Sequence, residues 1–505
     1  MRRSWIAICT LAIATLSCQF LTGTPVPSNP NGNGLQVTTP PGITPPDSAG
    51  TPSVSNAPLS QSGPWIVLSR SDGLYAANLD GSGVTRVFDL APYLKLDPSP
   101  YIKLSAIAPR GGRFAIITAN DPAGSHGLTL HIIHLPDGRE EKTIPLTGPK
   151  SEPGSNAQPG DNAFQILWVF GSGQWSPDGS QLAFEGGMDG DSTDLYLYST
   201  AAGSITRLTS GPAEDYAPSW SPDGKYIVHF GASTFGTGAG YSMLGAWATL
   251  VSKASTYDLY TPTSGGEDVL GWLDPQTVIV YSFSAACSTQ NVRAVNVVTR
   301  AVVPLWNSAF NQDQIAFDPS SGSFMLFTED YSAYPPCQGD NRQPGGFLVT
   351  RDGKVAHITD TTNGILSWSP EAGAFFHSDG GLVSATRPDG SKLTTPSELS
   401  EPPSVSPDGK VYAWRNSNGG LEVYFNGGTH SVTDKEPASP ASPTGPGSNT
   451  YFNLPFIIWS LDSGSFVFAS DGNLYNAQAG SGFVPTPVTG FAAINSDNFL
   501  FKVAP

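Results

Sequence analysis

From Pro64 to the end of the chain, short apolar runs alternate with polar turns, and the runs keep the two-residue period of β-strands. Gln181 to Phe184 and Lys225 to Phe230 are clear examples. Eight of these runs open with one phrase, an apolar or aromatic residue followed by Ser-Pro-Asp-Gly or a worn copy of it. The clearest copies begin at Trp175, Trp220, Trp368 and Val405, and weaker ones begin at Ile107, Trp272, Phe317 and Trp459. The steps between them are 68, 45, 52, 45, 51, 37 and 54 residues, the period of a four-stranded propeller blade with loops of variable length.

The phrase has a physical reading. Proline presets φ for a tight turn, and Asp-Gly supplies a side-chain acceptor and a permissive backbone, so each copy is a hairpin corner. The unit is plainest from Asp194 onward: a strand to Tyr198, a turn at Gly203, a strand from Ile205 to Thr209, then Pro218-Ser219-Trp220 leading into the next corner. This repeat resembles the TolB-like propellers, a bacterial family related to WD-repeat propellers, over nearly everything after Pro64. The resemblance implies an all-β propeller of four-stranded antiparallel blades. Three strand patterns before the first corner (65–68, 74–79 and 84–88) lack an inner partner, while 491–494 and 498–503 lack a blade. The two ends are therefore expected to share one sheet and close the ring, which removes exposed edges. Nine units result if every pattern is counted, but eight is the preferred number within a range of seven to nine.

The N-terminus reads as an export signal. Arg2 and Arg3 precede an apolar run from Trp5 to Leu16 that is too short to span a bilayer, and the run ends at Leu16-Ser17-Cys18. That box resembles a bacterial lipoprotein cleavage site over residues 1–18, with Cys18 as the lipidated residue, although Thr15 stands where the box usually carries Leu. A plain secretory signal cut near the same place is the alternative, and it exports the chain equally. Residues 19–63 are rich in Pro, Thr, Ser, Asn and Gly with Asp47 their only charge, so they read as a disordered spacer with a mean reach of roughly 35–40 Å. The propeller is assigned to 64–505. The expected location is the cell membrane or outer envelope surface.

Blade topology divides the connections between two faces. Corners and third-to-fourth turns open on one face and are short. On the other fall the long segments 120–127, 149–164, 231–245, 283–291, 329–346 and 434–452. Long loops on a rigid scaffold are where binding sites are usually built. Several carry aromatic residues suited to sugars or peptides: Tyr241 and nearby Trp247, Tyr331 and Tyr334, Tyr451 and Phe452. Cys287 and Cys337 fall in second-to-third loops of consecutive blades on this face, and in an exported chain they are expected to form a disulfide; two free buried thiols are the alternative.

Charge and motifs narrow the function. With 25 basic and 42 acidic residues the net charge is −17, and no basic cluster appears, which argues against nucleic acid as a partner. Neither a G-x-S-x-G elbow, an H-E-x-x-H, a C-x-x-C nor a phosphate-cradling glycine loop occurs. The chain ends at Pro505 with its last strands, so a following hydrolase domain is not expected. The scattered histidines, among them His131, His134, His229, His357 and His377, read as packed or rim residues. No cofactor motif is found; Asp189, Asp191 and Asp194 offer the one candidate Ca²⁺ site, in a stretch where a tight strand connection also calls for Asp and Gly. These readings favour a lipid-anchored binding or interaction module for an envelope protein, a peptide or a glycan. The alternative is a propeller enzyme, such as a polysaccharide lyase or hydrolase, working in the central channel. The TolB resemblance implies envelope work, but this chain lacks the α/β domain that precedes that propeller.

Overall fold

The computed structural model describes residues 57–70, 72–92, 102–119, 127–148, 173–190, 192–233, 243–261, 266–283, 291–311, 314–329, 343–437, 457–470, 473–492 and 500–505. The chain divides into Met1–Thr51 and Pro52–Pro505, and every described residue lies in the second unit. That unit is a β-propeller of nine four-stranded antiparallel blades. Blade 1 takes its inner strand from Leu500–Val503 and its other three from Trp65–Arg70, Gly73–Asn78 and Thr85–Asp89. Blades 2 to 9 follow in chain order over residues 102–145, 174–207, 214–260, 266–306, 315–359, 366–393, 404–433 and 457–492. Helix is limited, among the described residues, to 3-10 turns at Val251–Lys253 and Ala479–Ser481, and no helix there is long and apolar enough to cross a membrane.

Both faces of each blade are covered by its neighbours, which is why the strands read as apolar on alternate and often on successive residues. The buried apolar side chains fall into nine clusters, one at each seam between neighbouring blades. In blade 3, Leu182 and Phe184 face blade 2, whereas Ala183, Leu195 and Leu197 face blade 4. The ninth cluster joins Val467, Leu474 and Val488 of blade 9 to Ile66, Leu68 and Leu500 of blade 1, so the last seam closes the ring.

The corner phrase does what its chemistry predicts. Ser176 Oγ donates to Asp178 Oδ1 at 2.6 Å and accepts from Gln181 N at 3.0 Å. Gly179, at φ 70°, donates from its N–H to Ser176 O. Ser221 with Asp223, Ser406 with Asp408 and Ser460 with Asp462 repeat the arrangement. Glycine is also needed at Gly179 for space: a Cβ there would lie 2.3 Å from Arg110 O of the preceding corner. In three copies the tryptophan of the phrase latches its blade to the one before. Trp220 Nε1 donates to Gln174 O at 2.9 Å, Trp272 Nε1 to Ser219 Oγ at 3.0 Å and Trp459 Nε1 to Ser404 Oγ at 3.1 Å. In blade 6 Phe317 takes the place of tryptophan and lies against Gly271, where a Cβ would sit 2.2 Å from the ring. Trp220→Phe keeps most of the packing but leaves Gln174 O without its donor, so a loss of about 1 kcal/mol in urea unfolding is expected, and an unchanged midpoint would refute the latch.

Two sequence readings shift. The preferred count of eight blades becomes nine, the number that counting every strand pattern gives, with the closing blade built from strands at opposite ends of the chain. Residues 57–63, read as the end of the spacer, already pack on blade 1. Leu59 is buried in the seam with blade 2, and Ser60 accepts from Trp65 Nε1 at 2.7 Å and donates to Asn78 Oδ1 at 2.8 Å. Phe491 and Ala492 belong to the outer strand of blade 9, Pro485–Ala492.

Candidate binding face and its polar seam

The strands separate the two faces by the length of chain between them. Corners and third-to-fourth turns span two to six residues, whereas connections on the other face reach 28 residues at 146–173 and 23 at 434–456. Of the aromatic residues expected on this face, Trp247 lies within the described residues, whereas Tyr241, Tyr331, Tyr334, Tyr451 and Phe452 lie outside them, as do Cys18, Cys287, Cys337 and Asp191. Trp247 is half-buried on the third strand of blade 4, Met243–Leu250. Its ring lies over Gly231 and Gly245, where added Cβ atoms would come within 2.3 and 2.9 Å of it. It stacks on His229 at 6.1 Å and donates from Nε1 to Asp258. A flat ring held at both edges presents a rigid surface.

The two described carboxylates of the candidate calcium site, Asp189 and Asp194, share one arginine. Arg207 binds Asp189 Oδ2 through Nη1 at 2.6 Å and Asp194 Oδ2 through Nη2 at 2.5 Å. Tyr196 donates its hydroxyl to Asp189 Oδ1 at 2.6 Å. Burial pushes the Asp194 carboxyl up to about 6, against the pull of Arg207. These carboxylates are counter-ions to a guanidinium, and among the described residues no group of three or more His, Cys, Asp or Glu side chains has metal-binding geometry.

Each described histidine meets a neighbouring side chain. His131, His229 and His377 are each no more than 1% exposed, and each meets a threonine hydroxyl through Nε2: Thr118 at 2.8 Å, Thr249 at 3.2 Å and Thr386 at 2.9 Å. His131 Nδ1 also lies 2.6 Å from Glu140 Oε1, making a hydroxyl–imidazole–carboxylate chain. Phe88 covers that imidazole edge-on at 5.2 Å, and Thr118 is buried. His134, three residues from His131, pairs instead with Asp137 at the surface, as opposite-face spacing requires. His357 packs edge-on against Phe347 at 5.1 Å.

The charged residues that come together here were not singled out by the sequence. Lys103, Glu185, Glu214 and Asp215 are all buried near the long-loop face of blades 2 to 4. Burial holds the Glu185 carboxyl at about 8 and Glu214 at about 7, and pushes the Lys103 ammonium down. Glu267, the corresponding acid of blade 5, is satisfied by Arg293 and by the Tyr260 hydroxyl at 2.7 Å. The available signal was an ionisable residue inside an apolar run, as in Lys103 between Ile102 and Leu104 or Glu185 after Phe184.

No protein-family model matches this chain. A stretch of 55 residues is 46% identical to a Bacillus subtilis protein described as the uncharacterized peptidase YuxL; it makes up 11% of this chain and spans 8% of that relative. Among solved structures, a eukaryotic initiation factor matches with TM-score 0.50 at 13% identity, over 88% of this chain and 99% of the other. TolB from Acinetobacter baumannii matches at TM-score 0.32 and 14% identity over 59% of this chain and 63% of that one. An oligogalacturonate lyase in complex with manganese gives 0.35 and 16% over 60% and 87%. Likeness at these identities is likeness of fold, and the class it defines is the β-propeller. Within that class the structural neighbours include TolB proteins alongside peptidase and lyase propellers.

Proposed function

We propose that this chain is an exported, lipid-anchored β-propeller that binds a peptide, protein or glycan partner of the cell envelope with its long-loop face. The observation that carries this reading is the asymmetry of the connections: turns of two to six residues on one face, chain segments of up to 28 on the other. Trp247 supports it by offering a fixed aromatic surface at the foot of one long segment. The burial of His131, His229 and His377 supports binding over channel chemistry, since general acid–base work needs a group that can reach substrate.

The full chain applied to peptide and glycan arrays tests the proposal. Retention by one ligand class is expected, with about tenfold or greater loss in Trp247→Ala, Tyr331→Ala/Tyr334→Ala or Tyr451→Ala/Phe452→Ala, the scale at which removing an aromatic anchor acts. Asp178→Ala on the corner face should bind as the parent does. Equal loss in the corner variant would move the site to the other face and overturn the reading.

A further inference from the structure

The seam between blades 3 and 4 is held by two carboxylates that cross it in opposite directions. Glu185, on the second strand of blade 3, accepts at Oε1 from Ala217 N of blade 4 at 2.7 Å. Glu214, on the first strand of blade 4, accepts at Oε2 from Thr193 N of blade 3 at 2.6 Å. Asp215 N donates to Thr193 O at 2.8 Å beside them. Glu185 is 2% exposed and Glu214 0%. Their other oxygens, Glu185 Oε2 and Glu214 Oε1, are buried without a hydrogen-bond partner. Lys103 of blade 2 is 5% exposed, and its Nζ is likewise unpartnered. Further from the long-loop face, the same seam ends in an open surface crevice lined by Leu197, Leu208, Lys225 and Val251.

We propose that Glu185 and Glu214 form a proton-operated clasp, which holds blades 3 and 4 together while both carboxyls are protonated and loosens the seam when they ionise. A neutral carboxyl tolerates a dry site, with one oxygen accepting across the seam. An ionised one with a bare buried oxygen demands water or a donor, and water can reach these atoms only if the seam parts. The surrounding charges do not remove that demand. Glu214 faces Asp194 and Asp215, which disfavour its ionisation, and Asp194 already shares Arg207 with Asp189. His229 Nδ1 lies 3.3 Å from Asp215 Oδ1, so it faces Asp215 within the same blade. The Ala217 N–H and, more weakly, Lys103 favour ionised Glu185, but burial outweighs both and also disfavours the Lys103 charge.

The sign is set by the raised folded-state values of about 8 for Glu185 and about 7 for Glu214, both above the ordinary 4.5. Their stabilisation of the closed seam is complete below that ordinary value and is lost as pH rises through 7 to 8. Lys103, displaced downward, acts in the opposite sense. Loosening this seam frees the His229–Trp247 stack, which lies in it, so alkaline pH would alter the long-loop face.

Hydrogen exchange of the full chain at pH 5.5, 7.0 and 8.5, corrected for the intrinsic rate, tests the clasp. Amides of 181–186 and 214–220 should lose about tenfold or more of their protection across this range, while 412–415 and 465–470 at the blade 8–9 seam keep theirs. The Glu185→Gln/Glu214→Gln chain should be flat with pH at both seams. Equal pH dependence at the two seams in the parent chain would overturn the proposal without any variant. So would persistence of the dependence in the double variant, or in Glu214→Gln alone if the double variant fails to fold.

Discussion

A chain ending at residue 499 is expected to lose its cooperative unfolding transition and to aggregate. The six residues removed supply the inner strand of blade 1, with Leu500 opposite Leu68 and Val503 opposite Trp65. Leu500, Phe501 and Val503 are each at most 4% exposed. They divide between the two seams that flank blade 1, Phe501 and Val503 toward blade 2 and Leu500 toward blade 9. Burying such a side chain contributes about 1.5–3 kcal/mol, so the three together approach the roughly 5–15 kcal/mol that separates folded domains from unfolded ones. The cut also strips the backbone partners from one side of residues 65–68 and leaves an open edge toward the channel. Phe501→Ala is the graded form: its ring meets Phe114 edge-on at 5.3 Å, and a loss of about 3–5 kcal/mol is expected. Calorimetry and urea titration decide the matter, and a truncated chain that melts like the parent would disprove closure by this strand.

Replacing Cys18 by serine should move the protein from the membrane fraction to the soluble exported fraction. The expectation rests on Leu16-Ser17-Cys18 after a short apolar run, and on the physics of lipid anchors. Two acyl chains hold a protein stably where one gives only marginal binding, and the propeller surface, with a chain net charge of −17, offers anionic lipid no attraction of its own. Fractionation with mass analysis of the N-terminal peptide reads the result. Full retention of Cys18→Ser on membranes would replace the lipid by another tether, while loss of export altogether would mean that the leader has been misread.

Much of this architecture is legible in the chain because its determinants are local. Ser-Pro-Asp-Gly makes the same hydrogen bonds wherever it occurs, so the corners and the strands they join could be placed from residues 176–181 or 221–226 alone. Ring closure was legible for a related reason, since apolar strands at both ends lacked partners. The blade count is legible in the same way, since counting every strand pattern gives nine, and only the usual range of blade numbers favours eight. The end of the spacer was misplaced because Leu59 is one apolar residue in a polar stretch, and only its pocket on blade 1 distinguishes it.

The proposed binding face rests on connection lengths, which are a property of the sequence. The polar seam does not. Alternation says that Glu185 and Lys103 point out of their strands, but not which backbone N–H stands opposite or whether water is present. Those answers depend on blades 2, 3 and 4 meeting at a common seam, between residues 103 and 214, more than a hundred positions apart. Local hydrogen bonding and periodicity determined the repeat, the corners and the two ends of the ring. Desolvation and charge pairing across seams were decided by the tertiary structure alone, because burial is a property of neighbours that the chain brings together only when it closes.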